Sequence, residues 1–226
     1  MAAEKSKAKR PGNKNDQIIP YYILRVLIGA AGILLPLFVV IGKLIYEGSM
    51  EIEYSISDYY DNGTAGDFLV GILFALAFFL FSYRGYEPID NRIASAGCVF
   101  ALGVALCPTT SKNETVHDLH FVFALLLFTV FIIFSIYLFR KKAPHPTKEK
   151  KDRNKIYLLC GIIMIVCIAG IAAASFLLNP EISEKYHLVF WLETIALVSF
   201  GFSWITKAEV LFLTDEGSEE KKKLDK

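Results

Sequence analysis

Seven side chains capable of proton, metal or polar-ligand chemistry fall at the ends of apolar runs. Ser57 and Asp58 lie in the acidic, aromatic stretch 47–67, and Asp67 closes it. His117 and His120 open the apolar run 119–139. His187 opens the run 188–205, and Glu193 lies within that run. Imidazole and carboxylate together bind Zn²⁺ or another divalent ion, and they also form acid/base pairs. His117 and His120 are three apart and share a helical face, so the metal set is His117, His120 and Glu193. A polar pocket would draw on Ser57, Asp58, Asp67, His120 and Glu193. The chain has no HExxH and no nucleophile elbow.

Glu193 sets the strongest constraint. A carboxylate at the centre of a spanning segment costs about 2.5–3.5 kcal/mol on insertion scales, so it must face protein, a cavity or a partner. Ala196, Phe200 and Gly201 share its face by helical spacing, and that face is expected to turn inward.

The elements that must position these residues are apolar helices. The chain has 226 residues, 54% of them hydrophobic, with a mean hydropathy of +0.43. That exceeds what soluble domains carry. Six runs, 18–46, 68–83, 93–107, 119–139, 156–178 and 188–205, read as membrane spans. The second and third must borrow flanking residues to reach the roughly 20 needed. Open strands are excluded because lipid cannot satisfy their backbone groups. The fold class is therefore an all-α, polytopic membrane bundle of six transmembrane helices. It comprises a basic segment 1–17, a transmembrane domain 18–210 and a charged tail 211–226.

Charge placement orients the bundle. Of the 24 Lys and Arg residues, 21 fall in segments that alternate onto one side, which puts both termini in the cytoplasm. The first apolar run is too long for a cleaved signal peptide. The four cysteines lie in apolar runs and read as buried hydrophobes. Trp191 and Trp204, about 20 Å apart along a helix, are expected at the two aromatic belts. Pro36 is expected to kink the first span. Gly97, Ala101 and Ala105 in the third span, with Gly71 and Ala75 in the second, are expected to permit close packing, with the third span central. The basic loop 140–155 has no aromatic residue to stack on bases, so no nucleic-acid role follows.

Scattered positions carry a resemblance. Ile56-Ser57-Asp58 follows the first span, Gly71 begins the second, His120 opens the fourth, and Glu193 precedes Ser199-Phe200-Gly201-Phe202 and a charged exit at Lys207 and Glu209. In this the chain resembles the six-span Frag1/DRAM/Sfk1-type membrane proteins and related bacterial integral membrane proteins. Tyr59-Tyr60 stands where that family has Thr-Gly. The resemblance implies a lipid-related role with membrane lipids as partners.

Three functions follow from these readings. One is lipid handling or lipid binding through a polar pocket near the outer leaflet. Another is a metal-dependent intramembrane hydrolase in which zinc or a similar ion is held by His120 and a carboxylate. The third is a small-solute or proton-coupled transporter with Glu193 as the titrating group. The lack of an internal repeat and of broken-helix pairs argues against transport. Homo-oligomerisation is left open. The location is an integral membrane, the inner or plasma membrane if the source is bacterial.

Overall fold

The computed structural model describes residues 21–85, 87–141 and 147–209. The expectations for segment 1–17, for loop residues 142–146 and for the tail 211–226 lie outside the described residues. Within them the chain is all helical, with no strand. Six helices are long and apolar enough to cross a membrane. They are α1 (Tyr21–Glu47), α2 (Thr64–Ser82), α3 (Pro88–Leu106), α4 (Glu114–Ile133), α5 (Lys148–Phe176) and α7 (Leu188–Lys207). A short α6 (Pro180–Lys185) and a 3₁₀ turn (Ile56–Asp61) lie between spans.

Local chemistry sets the boundaries. α2 and α3 reach 19 residues each by recruiting Thr64–Asp67 and Pro88–Arg92. Pro88 occupies the first turn of α3, where its missing N–H is harmless. Asn113 caps α4 by accepting the Thr115 N–H at 3.0 Å, and Thr147 caps α5 by accepting the Lys150 N–H at 3.1 Å. α4 runs on through a π turn, Phe134–Leu138. His187 turns the chain into α7 with a left-handed φ of 47°.

The spans close a ring: α1 packs on α2, α2 on α3, α3 on α4, α4 on α5, α5 on α7, and α7 back on α1. α7 is the most enclosed span, with half of its residues buried. The third span is thus one member of the ring and not its centre. The tight seam is between α1 and α7, where a Cβ on Gly29 would sit 2.6 Å from the Gly201 carbonyl oxygen. Only glycine on both helices allows that approach. Gly71, by contrast, faces open space, so the second span does not use it to pack.

One end of the ring is filled with rings. Trp204 is fully buried and lies 4.9–5.1 Å from Phe134, Phe139 and Tyr83. Phe131 stacks on Phe200 at 3.6 Å. Trp204 is therefore a core residue, not a belt residue. Its face of α7 also bears Phe200 and Ala196, and that stripe points inward. Trp191 is exposed, as a belt residue would be. At the same end, Arg25 donates to the Lys207 carbonyl at 3.2 Å, and Arg153 pairs with Glu209 at 3.3 Å.

Candidate functional site

The other end is closed by the stretch between α1 and α2. Ser55 starts the 3₁₀ turn with a reciprocal cap: its hydroxyl accepts the Asp58 N–H at 3.2 Å, and Asp58 Oδ2 accepts the Ser55 N–H at 2.9 Å. Burial pushes the Asp58 carboxyl above its ordinary pKa, although the hydrogen bonds from Ser55 pull the other way. Lys43 is paired with Glu53 at 2.5 Å. Asn62 Nδ2 donates to the same carboxylate at 2.9 Å. The Tyr59 hydroxyl accepts the Glu53 N–H at 3.2 Å.

Long-range bonds fasten this cap to three spans. The Phe190 N–H donates to the Tyr54 carbonyl at 2.9 Å. One helical turn further along α7, Glu193 Oε2 accepts the Ile56 N–H at 2.7 Å. The carboxylate in the last span thus caps the first N–H of the 3₁₀ turn, which has no acceptor within the turn. The Tyr60 hydroxyl donates to the carbonyls at the end of α3, 2.7 Å from Val104 and 2.5 Å from Ala105. Thr109 Oγ1 donates to the Ser57 carbonyl at 3.1 Å.

His120, on α4, is 1% exposed and has both ring nitrogens engaged. Nδ1 lies 2.7 Å from the Cys107 carbonyl, and Nε2 lies 2.8 Å from Ser57 Oγ. A carbonyl only accepts, so in the neutral ring the proton is on Nδ1 and Nε2 accepts the Ser57 hydroxyl proton. The rings of Tyr60 and Phe121 meet the imidazole edge-on at 6.1 and 5.6 Å.

Beneath the turn lies a cavity of about 60 Å³ inside the ring. Leu69, Leu73 and Leu76 of α2, Leu127 and Phe131 of α4, and Leu197 of α7 are among the residues of its wall. Ser57 and Glu193 are the polar side chains that line it. The space would hold several waters by volume, but its walls offer them few partners. Its lining is otherwise apolar, a pattern that suits an apolar group with a polar end at Ser57 and Glu193.

The candidate residues thus divide. Ser57, His120 and Glu193 meet around one turn, although His120 and Glu193 contact different residues of it. Asp58 is spent on the cap. Asp67 lies exposed in the first turn of α2, where its charge complements the helix N-terminus. His117 is turned away, edge-on to Phe121 at 4.9 Å and 3.5 Å from Asp118. The metal set His117, His120 and Glu193 is not brought together. Among the described residues no group of three or more His, Cys, Asp or Glu side chains could hold a metal ion. The roles of Tyr60, Thr109 and the Cys107 carbonyl went unforeseen. Tyr60 alone carried a signal, a large polar ring immediately after the Ile56-Ser57-Asp58 motif.

The six apolar helices make this a multi-pass integral membrane protein. No family model, curated protein or solved structure matches the chain.

Proposed function

We propose that this protein binds a membrane lipid, with its apolar chain in the cavity between α1, α2, α4 and α7 and its polar part at Ser57 and Glu193. The observation that supports this is the cavity itself: an apolar chamber inside a helix ring, with its polar groups gathered at one end. Neighbouring helices usually close such a space with side chains, because empty apolar volume forfeits packing. The resemblance to Frag1/DRAM/Sfk1-type proteins agrees with a lipid role. The distribution of Lys and Arg orients the 3₁₀ turn toward the outer face and both termini toward the cytoplasm, so the ligand would come from the outer leaflet.

The test is native mass spectrometry of the full chain released from mild detergent. The wild type should carry one lipid per chain. Leu73→Trp, which fills the cavity, should lose it while remaining folded. Equal lipid occupancy in the two proteins would overturn the reading.

A further inference from the structure

The contacts of Ser57 go further than binding requires. A lipid pocket needs a polar end, and Glu193 with the backbone of the turn already supplies one. Ser57 has in addition a partner that fits a nucleophile. Its hydroxyl is 2.8 Å from His120 Nε2. The opposite ring nitrogen is held by a third group, the Cys107 carbonyl, at 2.7 Å. Nucleophile, base and orienting group in sequence are the recognisable pattern of an activated serine. Here a backbone carbonyl does what a carboxylate does in many such sites: it fixes the tautomer that leaves Nε2 free to take a proton.

Three further observations fit chemistry at this position. Ser57 lines the cavity, so the nucleophile is presented to the ligand, and His120 Nε2 lies beside its Oγ at 2.8 Å, within reach of an oxygen bonded to the same carbon. The base is buried and wedged by Tyr60 and Phe121, so its geometry is set before a ligand arrives. The amides of the turn are also allocated. The Ile56 N–H goes to Glu193 and the Asp58 N–H to Ser55. Ser57 is the second residue of the turn, so its N–H has no acceptor within the turn and can serve an oxyanion formed at the reacting carbonyl.

We infer that Ser57 and His120 form a nucleophile–base pair that cleaves a carboxylic ester of a lipid held in the cavity. The inference rests on the lipid-binding reading for the identity of the substrate. The ester carbonyl stands at the junction of apolar chain and polar head, and the cavity has its polar groups at the corresponding end. Ser57 Oγ attacks the carbonyl carbon, forming the Oγ–C bond, and its proton passes to His120 Nε2. The tetrahedral intermediate collapses by breaking the bond from that carbon to the alcohol oxygen. The departing alcohol takes the proton from Nε2. Ser57 is left as an acyl ester. A water molecule then gives a proton to His120 Nε2 as its oxygen bonds the acyl carbon; the bond from that carbon to Ser57 Oγ breaks, the fatty acid leaves, and His120 returns the proton to Oγ.

The test uses the full chain in detergent and a hexadecyl fluorophosphonate, which reacts with activated serines. Intact-mass and peptide analysis should show one adduct per chain, on Ser57. Ser57→Ala should show none. His120→Gln should be labelled about 10²-fold more slowly or worse, the usual contribution of a general base. Asp67→Asn, which alters an exposed carboxylate outside the cavity, should be labelled like the wild type. An unlabelled wild type, an adduct on another residue, or an unchanged rate in His120→Gln would overturn the pair. The wild-type result decides even if a variant fails to fold. Lipid retained by an unlabelled protein overturns the pair and spares the binding reading. An adduct on Ser57 in a protein that retains no lipid, with no slowing by added phospholipid, overturns the binding reading and spares the activated serine.

Discussion

The two ends of the helix ring solve the same packing problem in opposite ways. At one end Trp204, Phe134, Phe139, Tyr83 and Phe200 fill the space between spans, and ring meets ring at 4.9–6.1 Å. At the other end the spans leave a cavity, and closure comes from a 3₁₀ turn tied by hydrogen bonds to α3, α4 and α7. The first arrangement gains stability from buried area and dispersion. The second satisfies polar groups and leaves room. The aromatic end is the packed half of the molecule, and the capped end is the half to which the proposed function assigns a ligand.

Breaking the aromatic end should have the largest effect on folding. Trp204→Ala is expected to cost about 3–5 kcal/mol, as large-to-small changes in a packed core do. Thermal unfolding in detergent will read this, as a steep fall in midpoint. A midpoint unchanged by the substitution would mean that Trp204 lies against lipid.

Breaking the cap should cost less and act locally. Glu193→Leu orphans the Ile56 N–H, a loss of about 1–3 kcal/mol for a buried unsatisfied donor. Glu193→Gln keeps an acceptor oxygen and should cost less. Hydrogen exchange separates the cap from the core. Amides of 54–61 should lose protection in Glu193→Leu, whereas those of α7 around Trp204 should keep theirs. Equal loss at both ends would erase the distinction drawn here.

The spans, and the need of Glu193 for a partner within the protein, were legible in the sequence, because hydropathy and the cost of a carboxylate in hydrocarbon are properties of single segments. The facing of Trp204 could have been read from the Ala196–Phe200–Trp204 stripe. The position of the residue near the end of its run suggested a belt instead, because length along a helix is visible in sequence and direction around it depends on neighbours. The centrality of the third span failed for a similar reason. Small residues show that a close approach is permitted, but only the partner shows where it occurs, and the closest pairing is Gly29 with Gly201. Ser57 and His120 were each singled out, yet 63 residues separate them and no periodicity links a loop to a later span. The Cys107 carbonyl that fixes the His120 tautomer is backbone, and side-chain identity carries no trace of it.

Filling the cavity should affect the two ends differently again. Leu73→Phe adds volume where space exists and is expected to change stability by less than about 1 kcal/mol. Lipid occupancy should fall sharply, as counted by mass spectrometry after mild extraction. A large destabilisation would show that the space is not available to side chains or ligands.

The smallest effect concerns Asp58. Its folded-state pKa is raised by burial, so the folded protein holds this proton more tightly than the unfolded chain. The resulting stabilisation is fully present below the unfolded-state pKa, about 3.9. It is lost as pH rises through the folded-state value. Asp58→Asn should therefore flatten a mild decline in stability with rising pH, measured as the unfolding midpoint across an acidic pH series. A steeper decline in the variant would mean that the carboxylate is favoured in the fold.

The claim that matters most is that a lipid chain enters the capped end of the ring. The direct measurement is photo-crosslinking of the full chain in bilayers, using a phospholipid with a photoreactive group near the end of one acyl chain. The account predicts adducts on cavity residues such as Leu73, Leu127 and Phe131, lost when Leu73→Trp fills the space. Adducts confined to exposed outward residues such as Phe78, Val122 and Val166 would contradict it.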